Sequence, residues 1–226
     1  MSKRLEKIAS YVRDGLGVAD VGTDHGYLSV FLAQNAAPKS VIATDIRPGP
    51  LDSARCHVRE AGLEEKISLR LCDGLAAVSP EEADVILIAG MGGEVIQGIL
   101  SRAPWALNGK TLILSPQSKQ ETLRRWLFSR GCGIREEHLA EDGGKIYPIL
   151  LVEGRPEREP SAAEYFIGVW PEEKRDALFR RQLDAQLARL ERERDGLLCT
   201  RDEEKRKKLP ELTALIAGLR TMESRE

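Results

Sequence analysis

Short apolar segments alternate with amphipathic segments over the first two thirds of the chain. The apolar segments are typical of buried strands, and the apolar residues between them recur every three or four positions, which predicts helices. Leu5, Ile8, Ala9 and Val12 place a first helix ahead of Gly15. The predicted strands cover residues 18–22, 40–45, 67–73, 84–89 and 111–114, and the later helices cover 27–34, 48–62, 94–101 and 121–129.

The order of these elements predicts the fold class. Strands that alternate with helices form a parallel sheet with helices on both faces. Two more candidate strands, around 134–139 and 146–152, flank Asp142-Gly143-Gly144, which is a hairpin signal. We therefore expect an α/β fold with a Rossmann-like sheet and a terminal antiparallel hairpin.

The chain changes character after a proline-rich polar boundary at 154–160. Beyond it, leucines recur in alternating steps of three and four along two segments. The first stripe holds Phe179, Leu183, Leu187, Leu190 and Leu197, and the second holds Leu209, Leu212, Ile216 and Leu219. This spacing predicts two antiparallel helices paired as a coiled-coil arm. The expected domains are 1–154 and 160–226.

Composition narrows the class of protein. Hydrophobic residues make up 42% and charged residues 31%, with a net charge of -2, which suits a soluble globular protein. The four cysteines are scattered, so neither disulfides nor a metal site is expected. The start has no apolar signal segment, and no stretch approaches the roughly 20 apolar residues of a membrane span. We expect a cytoplasmic protein that binds no membrane. The oligomeric state is left open, with a monomer as the working expectation.

The first strand leads into the densest cluster of candidate ligand-binding residues, Asp20-Val-Gly-Thr-Asp-His-Gly26. The glycines permit a tight turn and close approach of a ligand. The spacing is not that of the dinucleotide-binding motif, and Asp24 would repel a pyrophosphate. An acid there favours a cationic ligand with an amino group, such as the methionine part of S-adenosylmethionine. The alternative is a sharp turn in which Asp24 caps the next helix.

Acidic residues also end the next two strands. Asp45 follows the glycine turn by roughly 20 residues, where an acid accepts hydrogen bonds from ribose hydroxyls. Since NAD and S-adenosylmethionine both carry a ribose, Asp45 does not distinguish them. Asp73-Gly74 can meet an adenine amino group or form a simple turn.

The fourth strand ends in Ala89-Gly-Met-Gly-Gly-Glu94, whose glycines leave space in which a flat base can lie beside the sulfonium. A close contact between strand and helix is the alternative. Ser115-Pro-Gln-Ser118 ends the fifth strand and can line the same opening. Nearby, His25 is either structural or a base, and Tyr27 either covers the cofactor or packs on the sheet.

These motifs, with Leu123-Arg-Arg-Trp-Leu127 and the helix from Arg4 to Tyr11, resemble the bacterial tRNA adenine(22)-N1 methyltransferases. The terminal hairpin also resembles class I methyltransferases. The resemblance covers nearly the whole chain and implies S-adenosylmethionine as methyl donor and tRNA as substrate. It implies Asp24, Gly92 and Gly93 as catalytic residues. The implied cofactor-binding residues are Asp20, Gly22, Thr23, Asp24, Gly26, Tyr27, Asp45, Ile46, Asp73, Gly74, Ala89, Gly90 and Met91.

The resemblance also shapes the expected chemistry. The chain lacks the Asn/Asp-Pro-Pro-Tyr motif of amino-group methylases, which disfavours methylation of the exocyclic N6. Adenine N1 carries a lone pair and no proton, so orientation rather than a strong base would drive transfer. Asp24 would stabilise the positive charge of the product.

Basic residues are candidates for holding tRNA phosphates, namely Lys205-Arg-Lys-Lys208, Arg180-Arg181, Arg124-Arg125 and Arg130. The alternative for the arm is a solvated helix face. Three rival functions remain open from the residues: a methyltransferase for a small molecule or protein, a non-catalytic RNA-binding protein, and an NAD-linked dehydrogenase.

Overall fold

A computed structural model describes residues 3–223, which divide into two compact units between Glu157 and Arg158. The strands of the first unit are β1 (Gly17–Val21), β2 (Ser40–Asp45), β3 (Ile67–Leu71), β4 (Val85–Ala89), β5 (Thr111–Ser115), β6 (Ile134–Asp142) and β7 (Lys145–Val152). Its helices are α1 (Lys3–Ala9), α2 (Tyr27–Asn35), α3 (Pro48–Glu60), α4 (Gly93–Arg102) and α5 (Gln120–Ser129).

The seven strands form one sheet in the order β3-β2-β1-β4-β5-β7-β6. The first five strands pair in parallel, and β7 is antiparallel to both β5 and β6. The strand order therefore reverses between β1 and β4, which opens a crevice at their carboxyl ends. The predicted Rossmann-like sheet with a terminal antiparallel hairpin is confirmed.

Two hydrophobic clusters cover the two faces of the sheet. Alternate residues of β4 point to opposite faces: Ile86 and Ile88 belong to one cluster, and Val85 and Leu87 belong to the other. Helices α4 and α5 contribute to the first cluster, and α1, α2 and α3 contribute to the second. The sheet is thus the middle of three layers, and this burial holds its strand ends in register.

The first helix is shorter than its apolar spacing predicts. It ends at Ala9, because the amides of Tyr11 and Val12 bond to carbonyls three residues back, at 3.2 and 3.0 Å, and the chain tightens into a turn. Val12 is nevertheless buried, so the apolar pattern correctly marked the side chains that face the core.

The second unit contains α6 (Ala162–Ile167), α7 (Ala177–Cys199), α8 (Glu203–Arg206) and α9 (Leu209–Glu223). The Arg175 guanidinium, just ahead of α7, donates to the Met222 carbonyl at 3.1 Å, so α7 and α9 run antiparallel as predicted. Their coiled-coil character stays a prediction. Helix α6 lacked a long apolar stripe and escaped sequence analysis, although Ser161 and Glu164 form a capping box at its start.

Within residues 3–223, no helix has both the length and the apolar content that crossing a bilayer requires.

Candidate active site

The carboxyl edge of the parallel strands carries exposed apolar side chains. Four large hydrophobic side chains at this edge are among the most exposed in residues 3–223. Tyr27 begins α2 and Ile46 follows β2. Leu71 ends β3, and Val95 lies in the first turn of α4. Exposure of 55% to 64% for these side chains contrasts with the buried strands behind them. An apolar rim of this kind fits a bound ligand with a flat, partly apolar surface.

The turn after β1 is built on a buried carboxylate. Asp20 is 2% exposed, and its Oδ2 accepts hydrogen bonds from the hydroxyls of Thr23 at 2.8 Å and Ser29 at 2.6 Å. Burial raises the pKa of Asp20, and these two hydrogen bonds oppose that effect. The buried Asp20 carboxylate therefore connects the turn, through Thr23, to the start of α2, through Ser29.

Positive φ angles set the shape of this turn. Gly22 has φ of 72°, Asp24 of 55° and Gly26 of 76°. A Cβ at Gly22 would overlap the terminal methyl of Met91, and one at Gly26 would lie 2.8 Å from the Cβ of Ala54. The cap of α2 is Gly26, with no side-chain cap hydrogen bond. The alternative in which Asp24 caps this helix is therefore wrong.

Asp45 holds the end of β2 to the glycine turn. Its carboxylate, 5% exposed, accepts a hydrogen bond from the Asp24 amide at 3.2 Å and one from the Arg47 amide at 2.9 Å. The Arg47 guanidinium lies 3.7 Å from the Asp45 carboxylate and 3.5 Å from that of Asp24. A carboxylate offers about four acceptor positions, so Asp45 retains capacity for further donors. Nothing in the spacing singled out Arg47.

The turn after β3 is fastened to β2. The Gly74 carbonyl accepts the Thr44 hydroxyl at 2.9 Å, and a Cβ at Gly74 would lie 2.8 Å from Cγ2 of Ile99. Packing in a simple turn therefore explains the glycine. Asp73 is exposed and accepts a hydrogen bond from Arg102 at 2.8 Å. A contact between Asp73 and adenine stays a prediction.

The segments that follow β4 and β5 remain paired beyond the sheet. The Gly90 amide donates to the Ser115 carbonyl at 3.2 Å, the Gln117 amide to Met91 at 2.8 Å and the Gly93 amide to Ser118 at 2.8 Å. A Cβ at Gly93 would overlap the Lys119 carbonyl oxygen, and one at Gly92 would lie 3.0 Å from the Ser118 Oγ. Close packing therefore leaves no room for a Cβ at Gly93 and little room for one at Gly92. A catalytic role for either glycine stays a prediction.

Gly90 differs from these two glycines because it faces open space. A Cβ at this position would have the Gln117 Nε2 as its nearest neighbour, at 3.8 Å. The residue is exposed and has φ of 81°. The opening beside the fourth strand that the sequence predicted is thus present at Gly90.

An aromatic stack lies beside the glycine turn. The Tyr27 ring is 60% exposed and stacks on the His57 ring with centroids 4.6 Å apart. The His57 Nδ1 lies 2.8 Å from the His25 carbonyl oxygen, and because a carbonyl only accepts, Nδ1 carries the proton. Tyr27 therefore does not pack on the sheet. The role of His57 has no signal in the sequence, because Tyr27 and His57 are 30 positions apart.

No group of three or more His, Cys, Asp or Glu side chains in the described part of the chain is arranged to hold a metal ion.

The chain is similar in sequence to several methyltransferases. Residues 1–150 match the family model described as a methyltransferase domain. The chain is 40% identical over 154 residues to the tRNA (adenine(22)-N(1))-methyltransferase of Bacillus subtilis, a match that covers 68% of this chain and 65% of that relative. It is 30% identical over 158 residues to a Mycoplasma genitalium protein named as a tRNA methyltransferase, covering 68% and 70% of the two chains.

Solved structures extend the similarity to the arm. The B. subtilis M1A22 tRNA methyltransferase TrmK superposes with a TM-score of 0.90 at 30% identity, covering 98% of each chain. A Streptococcus pneumoniae protein in complex with S-adenosyl-L-methionine superposes with a TM-score of 0.84 at 34% identity, covering 98% of this chain and 99% of that one.

Proposed function

Because this chain belongs to the methyltransferase-domain family and, within it, to the tRNA (adenine(22)-N1)-methyltransferases, we infer that it transfers a methyl group from S-adenosylmethionine to N1 of adenine 22 in tRNA. The observation that carries the proposal is the Asp45 carboxylate, held by two backbone amides at the strand-order reversal beside a glycine turn. Action on tRNA implies a cytoplasmic enzyme.

The residues at the crevice suit each part of S-adenosylmethionine. The free acceptor positions of Asp45 match the two ribose hydroxyls. Ile46 and Leu71, both exposed and on neighbouring strand ends, provide apolar surface for the adenine. Gly22 lets the backbone approach the ligand, and Met91, whose terminal methyl lies against Gly22, can rearrange because a thioether side chain is flexible.

Asp24 supplies negative charge near the place where a cation is expected. Its side chain is 60% exposed, and its amide is held by Asp45. The Arg47 guanidinium, 3.5 Å away, shows that a cation is already accommodated between Asp24 and Asp45. A ligand with an amino group and a sulfonium centre would take over part of that role.

When bound, S-adenosylmethionine supplies an electrophilic methyl group, and the protein needs to orient adenine N1 toward it. N1 has an in-plane lone pair, so no proton has to leave before transfer. The open space at Gly90 admits a flat base, and the backbone bonds of Gly93 and Gln117 keep the walls of that opening fixed. Orientation of this kind contributes up to about 7 to 11 kcal/mol in favourable model systems. Asp24 then stabilises the cationic product.

The arm is proposed to hold the tRNA backbone. Residues 205–208 are exposed, and so are Arg180 and Arg181. Arg124 is excluded from this patch, because it is buried in a bidentate ion pair with Glu137. Arg125 is exposed and pairs with Glu121. Arg124 is therefore not a candidate for contact with tRNA phosphates.

Transfer of labelled methyl groups to unmodified tRNA tests the function. We expect N1-methyladenosine in a tRNA that carries adenine at position 22 and no incorporation when that base is guanine. Incorporation into the guanine variant would contradict the position. Transfer to small molecules or proteins but not to tRNA would favour the first rival function, and failure to bind S-adenosylmethionine would favour a non-catalytic RNA-binding protein.

A further inference from the structure

A cation from the first helix reaches the same edge of the sheet as the crevice. The Arg4 Nε donates to the Ser115 hydroxyl at 3.2 Å, and the Arg4 guanidinium carbon lies 4.6 Å from the centre of the Tyr147 ring. Ser115 is the last residue of β5, and its carbonyl accepts the Gly90 amide. Arg4 is thus connected through one residue to the opening beside β4.

The terminal hairpin places Tyr147 beyond the end of β5. The two strands pair from Leu112 with Val152 to Leu114 with Leu150, so β7 runs back past the carboxyl end of β5 toward Tyr147. Tyr147 pairs with Ala140 of β6 in the outer part of the hairpin. Tyr147 therefore lies at the same edge of the sheet as the crevice, with the Arg4 guanidinium stacked on its ring.

Arg4 differs from the other arginines at this edge. Arg47 lies against Asp24 and Asp45, and Arg102 pairs with Asp73. Arg4, in contrast, forms no ion pair within residues 3–223, and only its Nε donates a hydrogen bond there. Burial lowers the pKa of the guanidinium, while the electrostatic effects of Tyr147 and Asp142 act in the opposite direction.

We propose that Arg4, stacked on Tyr147 and anchored by Ser115, binds a backbone phosphate of the RNA next to the target adenine. This inference rests on the proposed function. Two donor nitrogens of the guanidinium remain for a bidentate contact with phosphate oxygens, the geometry that arginine favours. A contact with the adenine itself is disfavoured, because N1 methylation gives the base a positive charge. Arg4 is therefore a residue that binds the substrate backbone and acts as neither base nor acid.

The test compares Arg4→Gln and Arg4→Lys with Arg135→Gln in the full-length protein. Arg135 is exposed and ion-paired with Glu153 near the opposite end of the hairpin, which makes it the matched control. Calorimetry with S-adenosylmethionine and thermal denaturation establish that each variant is folded and loads its cofactor. Binding of tRNA is then measured from low to moderate salt.

For Arg4→Gln we expect tRNA affinity to fall by at least about tenfold, with cofactor affinity unchanged. The slope of log affinity against log salt should decrease by about 0.7 to 0.9, the contribution of one phosphate contact. Arg4→Lys keeps the charge, so it should retain the slope and show an intermediate affinity. At saturating tRNA, kcat should stay near the wild-type value, and Arg135→Gln should match the wild type throughout.

A wild-type slope in Arg4→Gln would overturn the proposal, as would a loss of kcat at unchanged tRNA affinity, which would place Arg4 on the base instead. Equal losses in the Gln and Lys variants would indicate a structural role. The proposed function fails on a different observation, namely wild-type protein that transfers no methyl group to tRNA.

Discussion

The amide of Asp24 donates a hydrogen bond to the carboxylate of Asp45 across 3.2 Å, so the turn after β1 is positioned by the end of β2. The same carboxylate is proposed to receive the ribose. In the proposed site one side chain thus both shapes the glycine turn and would contact the ligand, so its loss should affect the two together.

We expect Asp45→Asn to weaken S-adenosylmethionine binding by about 10- to 100-fold, because hydrogen bonds to a charged partner contribute about 1.5 to 3 kcal/mol. An amide retains only one oxygen and loses the charge. Isothermal titration calorimetry measures the change. Asp52→Asn is the control, since Asp52 lies exposed on α3 and pairs with Arg55. Similar affinities for the two variants would exclude Asp45 from the cofactor site.

Alanine substitutions at two glycines with similar φ angles distinguish the effect of backbone strain from the effect on ligand binding. Gly22→Ala and Gly62→Ala should each lose about 1 to 2 kcal/mol of stability, because φ is 72° and 65° at these positions. Only at Gly22 does a Cβ overlap Met91, whereas Gly62 has open space around it. We expect Gly22→Ala to lose cofactor affinity and Gly62→Ala to keep it. Urea unfolding and calorimetry report the two effects, and full cofactor affinity in Gly22→Ala would contradict the proposed site.

The buried ion pair between Arg124 and Glu137 joins α5 to β6, with both side chains at most 3% exposed. Arg124→Met should reduce the free energy of unfolding by about 3 to 5 kcal/mol, since it removes the guanidinium that compensates a buried carboxylate. The double variant Arg124→Met with Glu137→Leu should recover much of this loss. Arg125→Met, which breaks an exposed pair one position along, should cost less than about 1 kcal/mol. Urea unfolding distinguishes these cases, and equal losses from Arg124→Met and Arg125→Met would argue against the buried pair.

Acid stability should depend on the pair formed by Arg70 and Glu82. Hydrogen bonds from Arg70 lower the pKa of Glu82 from 4.5 to about 2. A depressed folded-state pKa stabilises the folded protein above the unfolded-state value, and that contribution disappears as the pH falls from about 4.5 to about 2. Wild type should therefore be more stable than Glu82→Gln at pH 7, and the difference should shrink across that window. Urea unfolding at successive pH values measures it. The exposed neighbour Glu81 provides the control Glu81→Gln, and a difference that is constant with pH would refute the linkage.

The proposed binding of tRNA phosphates by the basic run of the arm can be tested by removing its charges. Replacing Lys205, Arg206, Lys207 and Lys208 with Gln should weaken tRNA binding most at low salt and flatten its salt dependence, because phosphate contacts release counterions. Replacing the adjacent Glu203 and Glu204 with Gln removes negative charge and should have the opposite sign. Filter binding across a salt series provides the measurement. Unchanged binding in both variants would favour a solvated helix face.

Sequence alone predicted the sheet well, because buried parallel strands leave an unbroken apolar signal, as in residues 85–88. It also marked the strand ends, since glycine and aspartate cluster there. It could not predict partners distant in the chain. Arg124 looked like a surface cation beside Arg125, and only the fold brings Glu137 beneath it. Arg4 and Ser115 are separated by 111 positions, so no local pattern connects them.

The turns of the crevice are bonded to one another through the main chain. The Gly22 amide reaches the Thr44 carbonyl, the Cys72 amide reaches the Asp45 carbonyl, and the Gly90 amide reaches the Ser115 carbonyl. Such bonds survive most side-chain replacements. Residues around the rim can therefore be exchanged, by design or by natural selection, to fit a different methyl acceptor while the scaffold proposed to hold the donor keeps its shape.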